Sequence, residues 1–350
     1  MHEARRAALR DQQEMMRRAQ GTLLGLAIGD ALGMPTQMLP RPVVARLFPV
    51  LEGFEAGPSQ NAISAGQPAG RVTDDTQQAL LVARLLVEGQ GHVEGARFVE
   101  ELLRWAEQAE ADGSEQLGPS SRRALEAVQR GAAPEEAGRR GDTNGAAMRI
   151  APVGIAVPLE PVERFLERVE EACRPTHFTG LAIAGAAAVA AVISAGLEGA
   201  SFVEAVNEAR RLARLGQERG AYVAGASVAE RLVWAVDLVS QLDEESAQDA
   251  IVDLIGTGVA TQEAVPAAFA IAQRWRADPW RACLIAARLG GDSDTIAALV
   301  GAMLGACSGS EVFPVEARTT VVQVNALDID GLLSELLALR TRLQQEEVRL

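Results

Sequence analysis

Residues 180–196 read GLAIAGAAAVAAVISAG, an uncharged run made mostly of alanine and glycine. It is too short and too weakly lipophilic for a membrane span, which needs about 20 strongly apolar residues. The run is therefore expected to be a helix buried at the centre of a folded domain. The rest of the chain fits around such a helix. Apolar residues make up 48% of the 350 and aromatics only 4%, so the core must be built from Ala, Leu, Val and Ile. Those side chains suit closely packed helices better than sheets, where β-branched and aromatic residues dominate. Apolar positions recur at helical spacing over 79–87, 98–105, 162–173, 223–242, 246–255, 265–275 and 280–289. The helix around Trp105 is expected to close in the loop Ala111-Asp112-Gly113-Ser114, and the one from 162 to stop before Pro175. Strand-like alternation is confined to 319–324. These patterns predict an all-α fold in one domain over 1–350, with a core at about 21–309 and charged helices docked on the surface at both ends.

Two stretches rich in Gly and Pro interrupt the helices, at 51–70 and 131–145. The first reads as an exposed, mobile segment, and its place just before Thr73 makes it a candidate lid. Neither is expected to link separate domains, because the apolar pattern resumes at equal strength on both sides.

The chain carries 33 basic and 47 acidic residues, a net charge of −14. Such a surface repels phosphate backbones, so nucleic acid is not expected as the main partner. Cys173, Cys283 and Cys307 are odd in number and form no CxxC pair, which fits a reducing compartment. His2, His92 and His177 are too scattered for a zinc cluster. The charged opening MHEARRAALRDQQEMMRRAQ has no signal-peptide character, and a cytoplasmic location without membrane attachment is the expectation. The oligomeric state is left open.

Two short acidic clusters lie far apart in sequence, Thr73-Asp74-Asp75-Thr76 and Gly290-Gly291-Asp292-Ser293-Asp294-Thr295. Each follows glycine-rich chain and precedes a helical pattern, which puts carboxylates and hydroxyls in a first helical turn where ionised oxygens are favoured. Oxygens of this kind are hard ligands, suited to Mg²⁺ or Mn²⁺ rather than zinc or copper. If the fold brings the clusters together, they offer four carboxylates plus Thr73 and Thr295, enough for two ions roughly 3.5–4 Å apart. The plainer reading makes both clusters ordinary N-caps. Spacing alone leaves the two readings open. The four-residue recurrence of Gly301, Gly305 and Gly309 has a purely structural reading, close approach of helices.

The two clusters resemble the metal signatures of the ADP-ribosylglycohydrolase family, and three further segments agree in order. Residues 21–35, GTLLGLAIGDALGMP, resemble the family's opening helix and GDALG turn; residues 143–152, TNGAAMRIAP, resemble its central NGAAMR segment; and Pro175-Thr176-His177, before the Ala-rich helix, resembles its Thr-His step. The match runs from about Gly21 to Gly309. It implies a compact orthogonal multi-helix bundle with one cleft, in which two Mg²⁺ ions meet the ribose hydroxyls of the substrate. Thr73, Asp74 and Asp75 would ligate one side of that pair, and Asp292, Asp294 and Thr295 the other, with Asp74, Asp75 and Asp292 as the candidate catalytic carboxylates. His177 matches a position that contacts ADP-ribose. Asn144, Gly145, Ala146 and Met148 would line the cleft, and Gly118 and Ser120 would face phosphate or ribose.

One departure stands out. Members of the ADP-ribose type commonly carry Glu where this chain has Gln37. An amide keeps the shape but neither binds a metal as an anion nor acts as a base near neutral pH. The expected activity is therefore metal-dependent hydrolysis of a ribosyl bond, releasing ADP-ribose from an ADP-ribosylated substrate. A hydrolase of free nucleosides or other small ribosides is the first alternative, favoured by Gln37 and by the single tyrosine, Tyr222, which leaves little to stack a base. An inactive structural or ligand-binding relative is the second, opposed by retention of both clusters.

Overall fold

The computed structural model describes the backbone of residues 2–111 and 117–347. Among those residues the chain folds into α-helices joined by short connections, with isolated bridges but no strand. The stretch at 319–324, expected as a possible strand, belongs to the helix Val315–Asn325, where Ala317 and Val321 are buried one helical turn apart. A turn-to-turn period thus outweighs the β-branched composition. The helix expected to end before Pro175 runs over Val162–His177. The proline falls near its end, where few backbone bonds remain to be lost, and Arg149 donates to the Ala172 carbonyl at 3.2 Å. Of the loop expected at 111–114, Ala111 ends the helix Gly95–Ala111 and the rest lies outside the described residues.

The alanine-rich run forms the helix Gly180–Leu197, begun by Thr179, whose hydroxyl accepts from the Ala182 N–H at 3.2 Å. Every residue in it is buried. A helix apolar on all faces needs neighbours on all faces, and Phe202–Gln217, Ser293–Ser308 and Ala151–Ala156 supply them. Small side chains bring these neighbours close: a Cβ added to Gly154 would lie 2.7 Å from the Ala190 carbonyl oxygen.

The opening segment is one unbroken helix, His2–Gly33, running antiparallel to Ser293–Ser308. Gly21, Gly25, Gly29 and Gly33 on the first meet Gly305, Gly301, Ala297 and Asp294 on the second. A Cβ on Gly301 would sit 1.9 Å from the Gly25 carbonyl oxygen, so the backbones touch directly. Close approach was the structural reading of Gly301 and Gly305. Gly309 serves differently, ending the helix at φ +89°.

The C-terminal helix Ile329–Glu347 is more deeply built in than a surface helix. It buries Leu333, Leu336, Leu339 and Leu343, and its fully buried Arg340 donates to the carbonyls of Gly154, Ile155 and Val157 at 3.1–3.3 Å. Those carbonyls end the helix Ala151–Ala156, so the guanidinium serves as its C-cap. One apolar cluster accordingly runs from Ala19 to Leu343, beyond the core limits of 21–309 read from the sequence.

Candidate active site

The glycine-lined contact between the opening helix and Ser293–Ser308 does more than fill the core. It sets Gly33 against the backbone of Asp294, where an added Cβ would lie 2.4 Å from the Asp294 Cα. One turn earlier, Asp30 points its buried carboxylate at the start of the helix Asp74–Glu88. It accepts from the Thr73 N–H at 3.0 Å, the Thr76 N–H at 3.1 Å and the Thr76 hydroxyl at 2.5 Å. A carboxylate from another helix thus satisfies the orphan donors of a first turn. Sequence reasoning quoted Asp30 within the GDALG motif but gave it no role.

The second cluster is held by backbone. Gly290 and Gly291 adopt φ of +73° and +68°, and a Cβ on Gly291 would meet the Thr257 carbonyl oxygen at 2.3 Å. The Met38 N–H donates to the Gly291 carbonyl at 2.5 Å, the Gly291 N–H to Leu39 at 3.0 Å, and the Asp292 N–H to Thr257 at 2.7 Å. These rungs stitch the turn carrying Gln37 to the loop carrying Asp292. The Asn144 amide donates to Asp292 Oδ2, and Thr295 stands beside both clusters in the cavity wall.

The two clusters meet in a cavity of about 300 Å³. Asp74, Asp75, Asp292, Asp294 and Thr295 line it, along with the expected Gln37, Gly118, Asn144, Gly145, Met148 and His177. Three expected site residues stand elsewhere. Thr73 is fully buried, its hydroxyl donating to Asp75 Oδ2 at 3.1 Å, so it orients a neighbour instead of facing the cavity. Ser120 is buried under Arg123, and Ser121 lines the wall in its place, one residue on a helix being a rotation of about 100°. Ala146 packs into the apolar core. The walls also include Met38, Ile63, Arg122 and Thr143, which sequence reasoning did not single out. The segment 51–70 is largely exposed, as expected, with Leu51, Asn61 and Ser64 buried within it.

Burial raises the pKa of Asp74, Asp75 and Asp294 well above the usual carboxylate range, and their mutual charges push the same way. Asp292 is raised as well, opposed by its bonds from Asn144 and Thr295. Asp75 Oδ1 and Asp294 Oδ1 are buried with no hydrogen-bond partner among the described residues. Among the described residues no three Asp, Glu, His or Cys side chains already converge as a closed ion cage. The donor set nonetheless fits hard divalent cations: crowded carboxylates with unused lone pairs, beside a hydroxyl, in a cavity that admits water.

Behind the carboxylates runs a buried polar chain. Gln78 donates to Asp74 at 3.1 Å, Arg149 to Gln78 at 3.1 Å and to the Thr176 hydroxyl at 2.6 Å, and that hydroxyl is 2.7 Å from His177 Nδ1. His177 Nε2 lies 3.0 Å from the Thr143 hydroxyl. Burial, helped by the charges of Arg149 and Arg123, lowers the pKa of His177 well below the usual imidazole range, so the ring is neutral. Among the described residues Arg149 pairs with no carboxylate, and it does not line the cavity; its guanidinium lies 4.5 Å from the Phe98 ring centroid.

Comparison with known proteins bears on this arrangement. The ADP-ribosylglycohydrolase family model matches residues 11–346. The uncharacterized protein YegU of Escherichia coli strain K12 is 36% identical, the match covering 89% of this chain and 93% of that one. The ADP-ribosylarginine hydrolase Tri1 of Pseudomonas putida strain GB-1 is 29% identical, with 89% and 76% covered. A solved ADP-ribosylglycohydrolase-related protein complex superposes with a TM-score of 0.70 at 26% identity, covering 94% of this chain and 99% of that one. The matched span, residues 11–346, contains both acidic clusters and the residues that line the cavity. The chain belongs to the ADP-ribosylglycohydrolase family.

Proposed function

We propose that the chain is a metal-dependent hydrolase that releases ADP-ribose from an ADP-ribosylated substrate, acting in the cytoplasm. The observation that carries this reading is the set of four buried carboxylates around one cavity, two of them with an unpartnered oxygen. Asp74, Asp75, Asp292, Asp294 and Thr295 would hold two Mg²⁺ ions, with Mn²⁺ a workable substitute. Such ions supply a grip on the vicinal ribose hydroxyls and a Lewis acid that makes water a better nucleophile.

The protein's own groups do the rest. As the bond from the anomeric carbon to the leaving group breaks, positive charge develops on the ribose, and the carboxylates of Asp74 and Asp292 offset it. Water forms the new bond to that carbon, its proton passes to a carboxylate oxygen of Asp74 or Asp75, and the leaving group departs with the bonding electron pair and takes up that proton. Asn144 fixes Asp292 through Oδ2. The neutral His177 ring is held at both nitrogens by Thr176 and Thr143 and presents a rigid, uncharged wall to the ligand. Gln37, whose amide donates to the Met34 carbonyl at 3.2 Å, has no proton to trade.

Released ADP-ribose would be followed chromatographically, with Mg²⁺ and then with EDTA, from substrates linked through arginine, serine and acetate and from simple nucleosides. Release that stops with EDTA is the expected result. Full release in EDTA would remove the metal from the mechanism. Cleavage of nucleosides alone would favour a second reading, hydrolysis of small ribosides, which the uncharged Gln37 in the cavity wall supports.

A further inference from the structure

Two large apolar side chains stand partly exposed at the cavity, one on the Gln37 turn and one on the segment tethered to it. Met38 is 51% exposed and Ile63 39%, and both line the cavity beside Gln37. Surface apolar residues scattered singly need no explanation, but two gathered at one cavity do.

Met38 is held there at a cost, Ile63 by a tether. Met38 has φ +58°, the left-handed region that favours glycine. It stays in that conformation because its N–H donates to the Gly291 carbonyl at 2.5 Å while Gly291 donates back to Leu39 at 3.0 Å. Strain of this kind persists only where the surroundings enforce it, and it concentrates at functional positions. Ile63 is fixed by a separate device. Its N–H donates to Asn61 Oδ1 at 3.0 Å, and the Asn61 amide donates to the Gln37 and Pro35 carbonyls at 2.8 and 3.3 Å. One buried asparagine thereby fastens the segment 51–70 to the turn that carries Met38. Gly57 supports the same loop so closely that an added Cβ would lie 1.7 Å from the Ser64 carbonyl oxygen.

The wall formed this way is apolar and uncharged. Its polar member, Gln37, spends its amide N–H on Met34. Among the described residues, the cavity's carboxylates all belong to the two acidic clusters. A guanidinium or ammonium leaving group placed against Met38 and Ile63 would lose water on that side and gain no counter-charge from the wall, which is costly. A neutral group would bury apolar area there at no such penalty.

We infer that Met38 and Ile63 form the leaving-group wall of the cavity and select an uncharged, largely apolar leaving group over a cationic one. This rests on the glycohydrolase reading above and adds to it the chemical class of the aglycone. Discrimination from such a wall is expected to be about tenfold to a hundredfold in kcat/KM, as for hydrophobic pockets generally.

The test uses the full chain with Mg²⁺ and three ADP-ribosyl glycosides differing only in leaving group: benzyl alcohol, a serine hydroxyl in a neutral peptide, and the guanidinium of agmatine. The benzyl compound is expected to be cleaved about tenfold or more faster, in kcat/KM, than the guanidinium one. Met38→Gly, which accepts the positive φ without strain, should keep or raise the melting temperature and yet lose most of that preference, while Met38→Leu restores it. Ile63→Ser, on the other segment, should reduce the preference independently. Cleavage of all three at equal kcat/KM, or a preference untouched in both Met38→Gly and Ile63→Ser, overturns the inference and leaves the glycohydrolase reading standing. Failure to cleave any of the three, with Mg²⁺ binding shown by calorimetry, overturns both.

Discussion

Set side by side, the cluster at 73–76 adds a carboxylate from another helix to its own Thr73 cap, whereas the cluster at 292–295 is positioned by backbone. Asp30 holds the first through the Thr73 and Thr76 donors. The second has no side-chain cap; its carboxylate turns outward to Asn144 and the cavity, and Gly290 and Gly291 fix its loop by close contact. Two sequences of the same design are therefore secured by different physics, one electrostatic and one steric. A metal site needs donors held within a fraction of an ångström, and each cluster reaches that rigidity by its own route. If this contrast is right, charge-removing and space-filling substitutions will act on different halves of the site.

The largest effect is expected where the two halves serve the same end. Ala at Asp74, Asp75, Asp292 or Asp294 should lower kcat by about 10³-fold or more, equivalent to roughly 4 kcal/mol of transition-state stabilisation. Circular dichroism should show the helical content unchanged, since these carboxylates sit uncomfortably in the ion-free fold. Full activity in any one of the four would sink the metal assignment.

Asp30→Ala separates the halves. It leaves three buried donors of the first cluster without an acceptor, each costing about 1–3 kcal/mol when orphaned. Part of that is returned because burial of Asp30 itself is unfavourable, raising its pKa to about 6. The net loss in chemical denaturation should be roughly 2–4 kcal/mol. Asn144→Ala, acting on the second cluster, should instead spare stability to within about 1 kcal/mol and reduce kcat. Equal destabilisation by the two would erase the contrast.

Space-filling should do the reverse. Gly301→Ala puts a methyl 1.9 Å from the Gly25 carbonyl oxygen, and backbone on both sides cannot yield as a side chain would. A loss of about 1–3 kcal/mol is expected from overpacking, with weaker Mg²⁺ binding as the second acidic helix shifts. Unfolding curves and calorimetric titration of the same sample would read both.

How much of this was legible without coordinates follows from the range of each interaction. The central helix announces itself because composition and period act within one segment. Both acidic clusters were legible because carboxylates, hydroxyls and glycines crowd into a few residues. Asp30 was quoted with its motif and given no task, since its partners lie 43 and 46 residues away and are mainly backbone N–H groups, which no side-chain pattern marks. Ser121 was mistaken for Ser120 because a one-residue error at the start of a helix turns the side chain from cavity to core. Residues 319–324 misled by composition, and the buried pair Ala317 and Val321 shows the period that governs. Met38 and Ile63 gave no signal at all. A strained backbone and an asparagine tether are properties of the fold, and methionine or isoleucine in sequence reads as core.

The crowding of carboxylates also makes a prediction for pH. Their folded-state pKa values are raised, so the folded chain binds more protons than the unfolded one, and stability falls as pH rises. In EDTA the melting temperature should therefore drop as pH climbs from the ordinary carboxylate range through about 6, where Asp30 titrates, and beyond. Mg²⁺ should remove most of that slope, because a bound cation takes over the role of the proton. A flat profile in EDTA would mean the carboxylates are relieved by some other group.

The smallest effect should come from Gln37→Glu, and it probes where the two halves join. Gln37 sits in the turn that Met38 and Leu39 stitch to Gly291, so a carboxylate there adds an anion to the sterically held half without touching Asp30. Its present bond, an amide donating to the Met34 carbonyl, would be lost, and a carboxylate facing that carbonyl would swing toward the cavity. Mg²⁺ affinity should rise by about threefold to tenfold, a modest gain because burying the new charge offsets much of its attraction for the ion. Cleavage of a guanidinium-linked substrate should rise with it, since the wall would gain the counter-charge it lacks. Stability in EDTA should fall slightly at pH 8 and less at pH 5, following the other carboxylates. If Mg²⁺ binding and leaving-group preference both stay as they are, the amide at position 37 has no part in either, and the apolar neighbours Met38 and Ile63 alone set the character of that wall.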